Sequence, residues 1–258
     1  MLSSVYAPKD FKRLRLVGDI VSRCLDFLGT RARPGISTGE LDRMAAEFLK
    51  QNGARSSDLG YNGYPKHICT SVNDVIVHGI PRDDVILKDG DIINIDITAE
   101  AKGFHGDASR MFAVGTVRPR ARELIDTCRD CLNSAISICA PGVPLSEIGR
   151  VIENMATAKG FSVSRDFVGH GIGKVMHDDP QIFHFYDKAY DKVKMVPGLV
   201  FTIEPMLNEG TDKTVFDDDG WTARTADGKL SAQWEHTIGI TEDGAEIFTE
   251  TKNENRNF

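Results

Sequence analysis

The sequence predicts an α+β fold built from two related halves, and three observations predict it. Apolar residues change along the chain from helical spacing to strand-like alternation, and do so twice. A set of proline, glycine and apolar positions recurs once, at an offset of about 107 residues. Carboxylates interrupt otherwise apolar strand segments at corresponding places in the two copies. The chain has 258 residues, a length that suits one large domain or two small ones. The repeat favours a single domain over residues 1–258, with pseudo-repeat halves at about 10–117 and 118–250.

The elements follow in order. Phe11, Leu14, Val17, Val21, Cys24 and Leu28 occupy one face of a first helix. Ser37, Thr38, Gly39 and Glu40 form a capping-box pattern that starts a second helix. That helix carries Leu41, Met44, Ala45, Phe48 and Leu49 inward and stops at Asn52–Gly53. From about Lys66 to Val114 the texture is β-branched. The segment Asp91–Thr98 sets Ile93, Ile95 and Ile97 on one face, with Ile92, Asn94, Asp96 and Thr98 on the other. Further helices are expected from about Arg120 to Ile138 and from Ser146 to Lys159. Strand texture then returns through Phe201 and Trp234.

The repeat matches Pro34–Gly35–Ile36 and Glu40–Leu41 to Pro141–Gly142–Val143 and Glu147–Ile148. Gly53 corresponds to Gly160, and Gly90 before Asp96 corresponds to Gly198 before Glu204. Its period is too long for a solenoid unit, so two fused helix–helix–strands units are the economical reading. Asp96 and Glu204 thereby become equivalent positions, each a carboxylate on an apolar strand. Such a carboxylate is costly unless it is paired, protonated or bound to a metal. Asp96 and Asp107 flank the polar stretch Glu100–Gly103, so a tight hairpin would bring them nearly opposite each other. Glu204 and Glu235 repeat the oddity in the second half. Like charges at that distance repel unless a cation lies between them.

His170 and His177 add nitrogen donors, and such an oxygen-rich set suits Mn, Fe, Co, Zn or Mg better than Cu. Four carboxylates balance two divalent ions. A pair of ions ~3.5–4 Å apart activates water and polarises a carbonyl, which is hydrolase chemistry.

Composition and failed motifs remove other classes. Lys+Arg 31 against Asp+Glu 38 gives a net charge of −7 without long runs of either sign, which argues against nucleic-acid wrapping and membrane coating. No stretch is apolar enough to span a membrane, and the N-terminus carries charges where a signal peptide needs an apolar run. Five cysteines fit reduced, buried thiols in a cytoplasmic protein. Gly35–Gly39 fits G-x-S-x-G but follows no apolar strand, so Ser37 reads as a helix cap. Cys128 and Cys131 lie on an apolar helix face and read as core thiols. Lys12, Arg13 and Arg15 read as the solvated side of the first helix. His67, His105, His184 and His236 show no pattern of their own.

The stretches TSVNDVIVHGIP, DGDIINIDIT, GFHGDASRMF, GHGIGKVMHDDP, FTIEPM and SAQWEHT resemble the type I methionine aminopeptidase family from about Tyr61 to Ile240. The resemblance implies a pita-bread fold: two pseudo-symmetric halves with a central curved, mainly antiparallel sheet covered by helices. It implies removal of the initiator methionine from nascent chains, with a small second residue favoured. Asp96, Asp107, His170, Glu204 and Glu235 resemble the family's ligands to two divalent metal ions, with Asp107 and Glu235 bridging. Glu204 would accept the proton of the attacking water. His78 would contact the scissile amide, and His177 the carbonyl oxygen. Tyr61, Tyr64, Cys69 and Trp221 fall where the family lines its methionine pocket, with Met176 at a position usually aromatic. Asn62, Val77 and the segments Phe183–Met195 and Glu209–Gly220 also depart from the common bacterial pattern.

The family implies nascent polypeptide N-termini as partners, a monomer, and neither membrane nor specific nucleic acid. A ribosome contact through the basic cluster stays open. An Xaa-Pro aminopeptidase or creatinase-like hydrolase of the same fold is the nearest alternative. A non-catalytic pita-bread scaffold is the alternative from another class, although all five ligand positions are kept.

Overall fold

The computed structural model describes residues 2–250; residue 1 and residues 251–258 lie outside them. In the first half, α1 (Pro8–Gly29) and α2 (Thr38–Gln51) precede β1 (Arg55–Ser56), β2 (Cys69–Val72), β3 (Val75–Val77), β4 (Ile92–Ala101) and β5 (Phe104–Ala113). The second half opens on α3 (Pro119–Ser137) and α4 (Ser146–Ala158). There follow β6 (Ser162–Val163), β7 (Gly169–Gly171), β8 (Asp178–Ile182), β9 (Val200–Ile203) and β10 (Met206–Asn208). The last strands are β11 (Thr214–Phe216), β12 (Ala223–Thr225), β13 (Ser231–Gln233), β14 (His236–Ile240) and β15 (Ala245–Ile247). Each half thus starts with two helices and a two-residue strand.

Local chemistry sets these boundaries. Proline sits in the first turn of both α1 and α3, where its missing N–H would have had no helical partner. The capping box of α2 is present: Ser37 Oγ accepts from the Glu40 N–H, and Glu40 Oε2 accepts from the Ser37 N–H at 2.9 Å. Ser37 is therefore a cap, as expected. Left-handed backbone at the repeated glycines explains why the repeat left a mark in the sequence. Gly53 and Gly160 both have φ of 71°, and Gly90 and Gly198 have φ of 95° and 90°. Only glycine takes that conformation without steric cost.

All the strand pairings are antiparallel. The central layer consists of four hydrogen-bonded sheets among the described residues. β4 is flanked by β5 on one edge and by β1 and β2 on the other, and the largest sheet runs β15-β14-β9-β7-β8. The division has a local cause. β9 and β10 are separated at Glu204–Pro205, and β13 and β14 at Trp234–Glu235. Pro205 has no N–H to extend a ladder. Glu204 and Glu235 therefore lie at strand breaks, not within strands as the sequence suggested.

Two large hydrophobic cores pack against this layer. One packs α1 and α2 onto Ile93, Ile95 and Ile97; the other packs α3 and α4 beneath Ile92, Phe201 and Ile203. Each buried aliphatic side chain of this size stabilises the fold by about 2 kcal/mol relative to exposure. All five cysteines are free and buried, Cys128 and Cys131 on the core face of α3. Of the basic cluster on α1, Arg15 pairs with Glu246, and the Arg13 guanidinium lies 5.6 Å from the Phe104 ring centroid.

The halves meet along β5 and the β13–β14 segment. The Asp107 N–H donates to Thr237 Oγ1 at 3.0 Å, and Thr237 Oγ1 donates to Asp107 O at 2.7 Å. The Glu235 N–H donates to Ser109 O at 3.0 Å, and Asn94 Nδ2 donates to Gln233 O at 2.8 Å.

One packing contact is directly testable. A Cβ added at Gly149 of α4 would lie 2.1 Å from Phe185 O and 2.9 Å from Phe183 O. Alanine normally favours a helix over glycine. Gly149→Ala is nevertheless expected to cost about 2 kcal/mol, because backbone must move to admit the methyl group. Urea unfolding measures this, and an unchanged or higher midpoint would show that the 183–185 segment yields freely.

Candidate metal centre

Where the two halves meet, the structure forms a cavity of about 670 Å³. All twelve residues singled out from the sequence line it: Tyr61, Tyr64, Cys69, His78, Asp96, Asp107, His170, Met176, His177, Glu204, Trp221 and Glu235. Asp96 comes from β4, Asp107 from β5 and His170 from β7. Glu204 and Glu235 come from the breaks after β9 and β13.

The hairpin register differs from the sequence expectation. Asp96 pairs with Ser109, and Asp107 with Thr98. The two carboxylates therefore share a face but stand diagonally, two residues out of direct opposition. Asp107, His170 and Glu235 each offer a ligand atom, and these three atoms lie within 4.8 Å of one another. His170 Nε2 is 3.7 Å from Asp107 Oδ2 and 3.7 Å from Glu204 Oε1.

The imidazole orientation is informative. His170 Nδ1 lies 3.1 Å from Gly171 O, an acceptor, so Nδ1 carries the proton. The lone pair of Nε2 then faces two carboxylate oxygens. Three electron-rich atoms converge, and a cation between them turns repulsion into ligation. Asp107 Oδ1 is buried without a hydrogen-bond partner in the structure. Among the described residues, no Lys or Arg lines the cavity. Carboxylates with one neutral imidazole fit a hard or borderline divalent ion.

Electrostatics express the same conflict. Burial, then the neighbouring Asp107, hold Asp96 and Glu235 well above the ordinary carboxylate range. Burial and Asp107 push Glu204 up to about 8, and burial pushes Asp107 up to about 6. Burial and His177 bring His170 down to about 3.

Several residues that the sequence reading passed over hold this cluster in place. Thr202 Oγ1 accepts from the His170 N–H at 3.0 Å and donates to Glu204 Oε1 at 2.8 Å. Gln233 Nε2 donates to Glu204 Oε2 at 3.4 Å. The fully buried His184 accepts the Glu204 N–H at Nε2, 3.1 Å away. Asp58, also unforeseen, is buried on the cavity wall and accepts from the Thr98 N–H at 3.3 Å.

The remaining walls are aromatic. His177 Nδ1 is 2.8 Å from the Tyr61 hydroxyl, and its ring centroid is 4.1 Å from that of His170. Tyr64, buried, donates to Ile68 O and packs edge-on to Trp221 at 5.0 Å between centroids. His78 lies between Trp221 and Phe167, at 6.1 and 5.4 Å, and has a left-handed backbone with φ of 60°. Burial, then His177, lower His78 to about 4; burial, then His105, lower His177.

These shifts fix a pH response for the metal-free protein. Glu204 keeps its proton up to about pH 8 when folded, against an ordinary value of 4.5. Unfolding therefore releases a proton across that window, and stability falls as pH rises through it. The depressed histidines act oppositely, mainly below their ordinary value of 6.5, where the unfolded chain takes up protons, and their effect fades within about one unit above it. Towards pH 8 the carboxylates dominate. Calorimetry of chelator-treated protein should show a falling unfolding temperature towards pH 8, and a saturating divalent ion should flatten it. A level profile without metal would contradict the account.

The model of Metallopeptidase family M24 matches residues 12–242. Methionine aminopeptidase A of Synechocystis sp. is 52% identical over 241 residues, covering 93% of this chain and 95% of that protein. Methionine aminopeptidase of Escherichia coli is 44% identical over 255 residues, covering 98% and 96%. The crystal structure of methionine aminopeptidase from Rickettsia prowazekii superposes with a TM-score of 0.94 at 41% identity, covering 97% of this chain and 100% of that one. The chain belongs to metallopeptidase family M24.

Proposed function

We propose that this protein is a methionine aminopeptidase that removes the N-terminal methionine of peptides and nascent polypeptides, favouring a small second residue. The observation that carries the reading is a His170 lone pair aimed into buried carboxylates, at a cavity wall lined by Tyr61, Tyr64, Cys69, Met176 and Trp221. Family membership and the names of the relatives support it.

In this reading Asp96, Asp107, His170, Glu204 and Glu235 would hold two divalent ions. When bound, the ions supply Lewis acidity, which lowers the pKa of water and polarises the scissile carbonyl. Glu204 takes the proton of the attacking water; Thr202 and Gln233 each hold one of its oxygens. With the Tyr61 hydroxyl donating to Nδ1, His177 presents an Nε2 proton to the carbonyl oxygen as negative charge develops. His78, kept neutral by burial, hydrogen-bonds the scissile amide and assists protonation of the leaving amine. Tyr61, Tyr64, Cys69, Met176 and Trp221 enclose the methionine side chain, whose unbranched thioether suits an apolar, polarisable wall.

The chain works as one unit, since Asp96 and Asp107 come from one half and the other three ligands from the other. The reading takes the enzyme to be a cytoplasmic monomer acting on polypeptide N-termini. No helix among the described residues is long and apolar enough to cross a membrane.

Incubation of the metal-loaded protein with Met-Ala-Ser should release methionine, while Ala-Pro-Ala should stay intact. Cleavage of the proline peptide alone would move the assignment to the Xaa-Pro branch, and inertness with every divalent ion tried would favour a scaffold. Two substitutions separate ligation from catalysis. His78→Ala should bind metal normally and lose about 10²–10⁴ in turnover, because its contribution belongs to the transition state. Asp107→Asn should lose metal, since a neutral amide is a weaker ligand for a divalent ion than a carboxylate. Elemental analysis of both variants, beside their rates, checks the division of roles.

A further inference from the structure

Phe216 is the most exposed large apolar side chain among the described residues, at 61%. A lone exposed phenylalanine needs no explanation, but this one continues an apolar row. Across β11, β12 and β3, Phe216 pairs with Ala223 and Ala223 pairs with Val77. Ala223 and Val77 are buried in a small cluster against which Phe167 packs, and both Val77 and Phe167 line the cavity.

The rings tell the same story from the side. Phe167 stands edge-on to His78 at 5.4 Å between centroids, and Phe216 lies 6.2 Å beyond Phe167. A surface of apolar groups therefore leads without interruption from His78 out to solvent. In the proposed function His78 contacts the scissile amide, so the part of the substrate that passes outward along this row is the chain that follows it. An extended chain advances about 3.4 Å per residue, which brings the third or fourth residue over these rings.

We infer that Phe216 and Phe167 form an apolar subsite for the third or fourth residue of the polypeptide substrate, so that N-termini with an aromatic or large aliphatic side chain there are preferred. The inference rests on the proposed function, because it takes His78 as the point where the scissile bond sits. Its occupant is the substrate itself: the row is continuous with the reaction cavity, and its inner end forms part of the cavity wall. The energy is that of covering one exposed ring with another apolar group. That interaction belongs to ground state and transition state alike and therefore acts on KM.

The test compares Met-Ala-Phe-Gly-Gly, Met-Ala-Gly-Phe-Gly and Met-Ala-Gly-Gly-Gly with the metal-loaded full chain and with Phe216→Ala and Phe216→Leu. One of the phenylalanine peptides should exceed the glycine peptide in kcat/KM by about threefold to tenfold, the range expected of an aromatic contact. Phe216→Ala should bring that ratio close to one through a higher KM, and Phe216→Leu should keep most of it. An equal response of all three peptides to Phe216→Ala, or no preference in the unmodified enzyme, would overturn the inference while leaving the aminopeptidase assignment standing. A concentration-dependent dimer abolished by Phe216→Ala, with the peptide ratio unchanged, would assign the ring to self-association instead. Failure to release methionine from any peptide would remove the activity, and this subsite with it.

Discussion

A neutral imidazole and two carboxylate oxygens converging at 3.7 Å is the arrangement on which the rest of this structure depends. Two like unit charges 4 Å apart repel by about 4 kcal/mol even at an effective dielectric constant of 20. The fold brings Asp58, Asp96, Asp107, Glu204 and Glu235 into one region, and no Lys or Arg among the described residues lines the cavity to offset them. Protons or cations must supply the balance. The raised Asp96, Glu204 and Glu235 are the proton-bound solution, and bound divalent metal is the alternative.

Such a cluster persists because its supports lie outside it. Two hydrophobic cores, one beneath each helix pair, provide the stability, and the seam between the halves fixes the geometry. Thr237 both accepts from and donates to the Asp107 backbone, which locks β5 against β14 whatever the charge state of the Asp107 carboxylate. Thr202 likewise ties the His170 backbone to the Glu204 side chain with a single hydroxyl. The pita-bread fold thus separates two tasks. Apolar layers carry the free energy, while a few hydroxyls and backbone groups from both halves hold the charges in position.

What the sequence made legible follows from which constraints leave residue-level marks. Capping at Ser37 and Glu40 needs specific side chains at a fixed spacing. Left-handed turns at Gly53, Gly90, Gly160 and Gly198 need glycine, so the twofold repeat was visible through them. Carboxylates in apolar surroundings announce themselves by their cost. The hairpin register did not, because a polar stretch around Lys102–Gly103 admits turns with different centres. The observed turn centre places Asp107 opposite Thr98 rather than Asp96. Nor did His184, Thr202 or Thr237, which are ordinary residues whose importance arises only from tertiary placement. The strand break at Glu204 was marked by Pro205, whereas the break at Glu235 was hidden by flanking residues that read as a continuous strand.

His78 shows how such placement serves the proposed chemistry. Its φ of 60° is a conformation that costs a non-glycine residue on the order of 1–3 kcal/mol. The segments on both sides enforce it. Val77 ends β3 in register with Ala223, and Gly79 is drawn so close to β2 that a Cβ there would lie 2.2 Å from Thr70 O. The Thr70 N–H also donates to Gly79 O at 2.8 Å. With its neighbours bound to different strands, the residue between them must turn, and the turn carries its imidazole between Trp221 and Phe167 on the cavity wall. A relaxed backbone would release the strain and aim the ring elsewhere. The strain is therefore the means by which the sheet holds a neutral histidine on the cavity wall between Trp221 and Phe167.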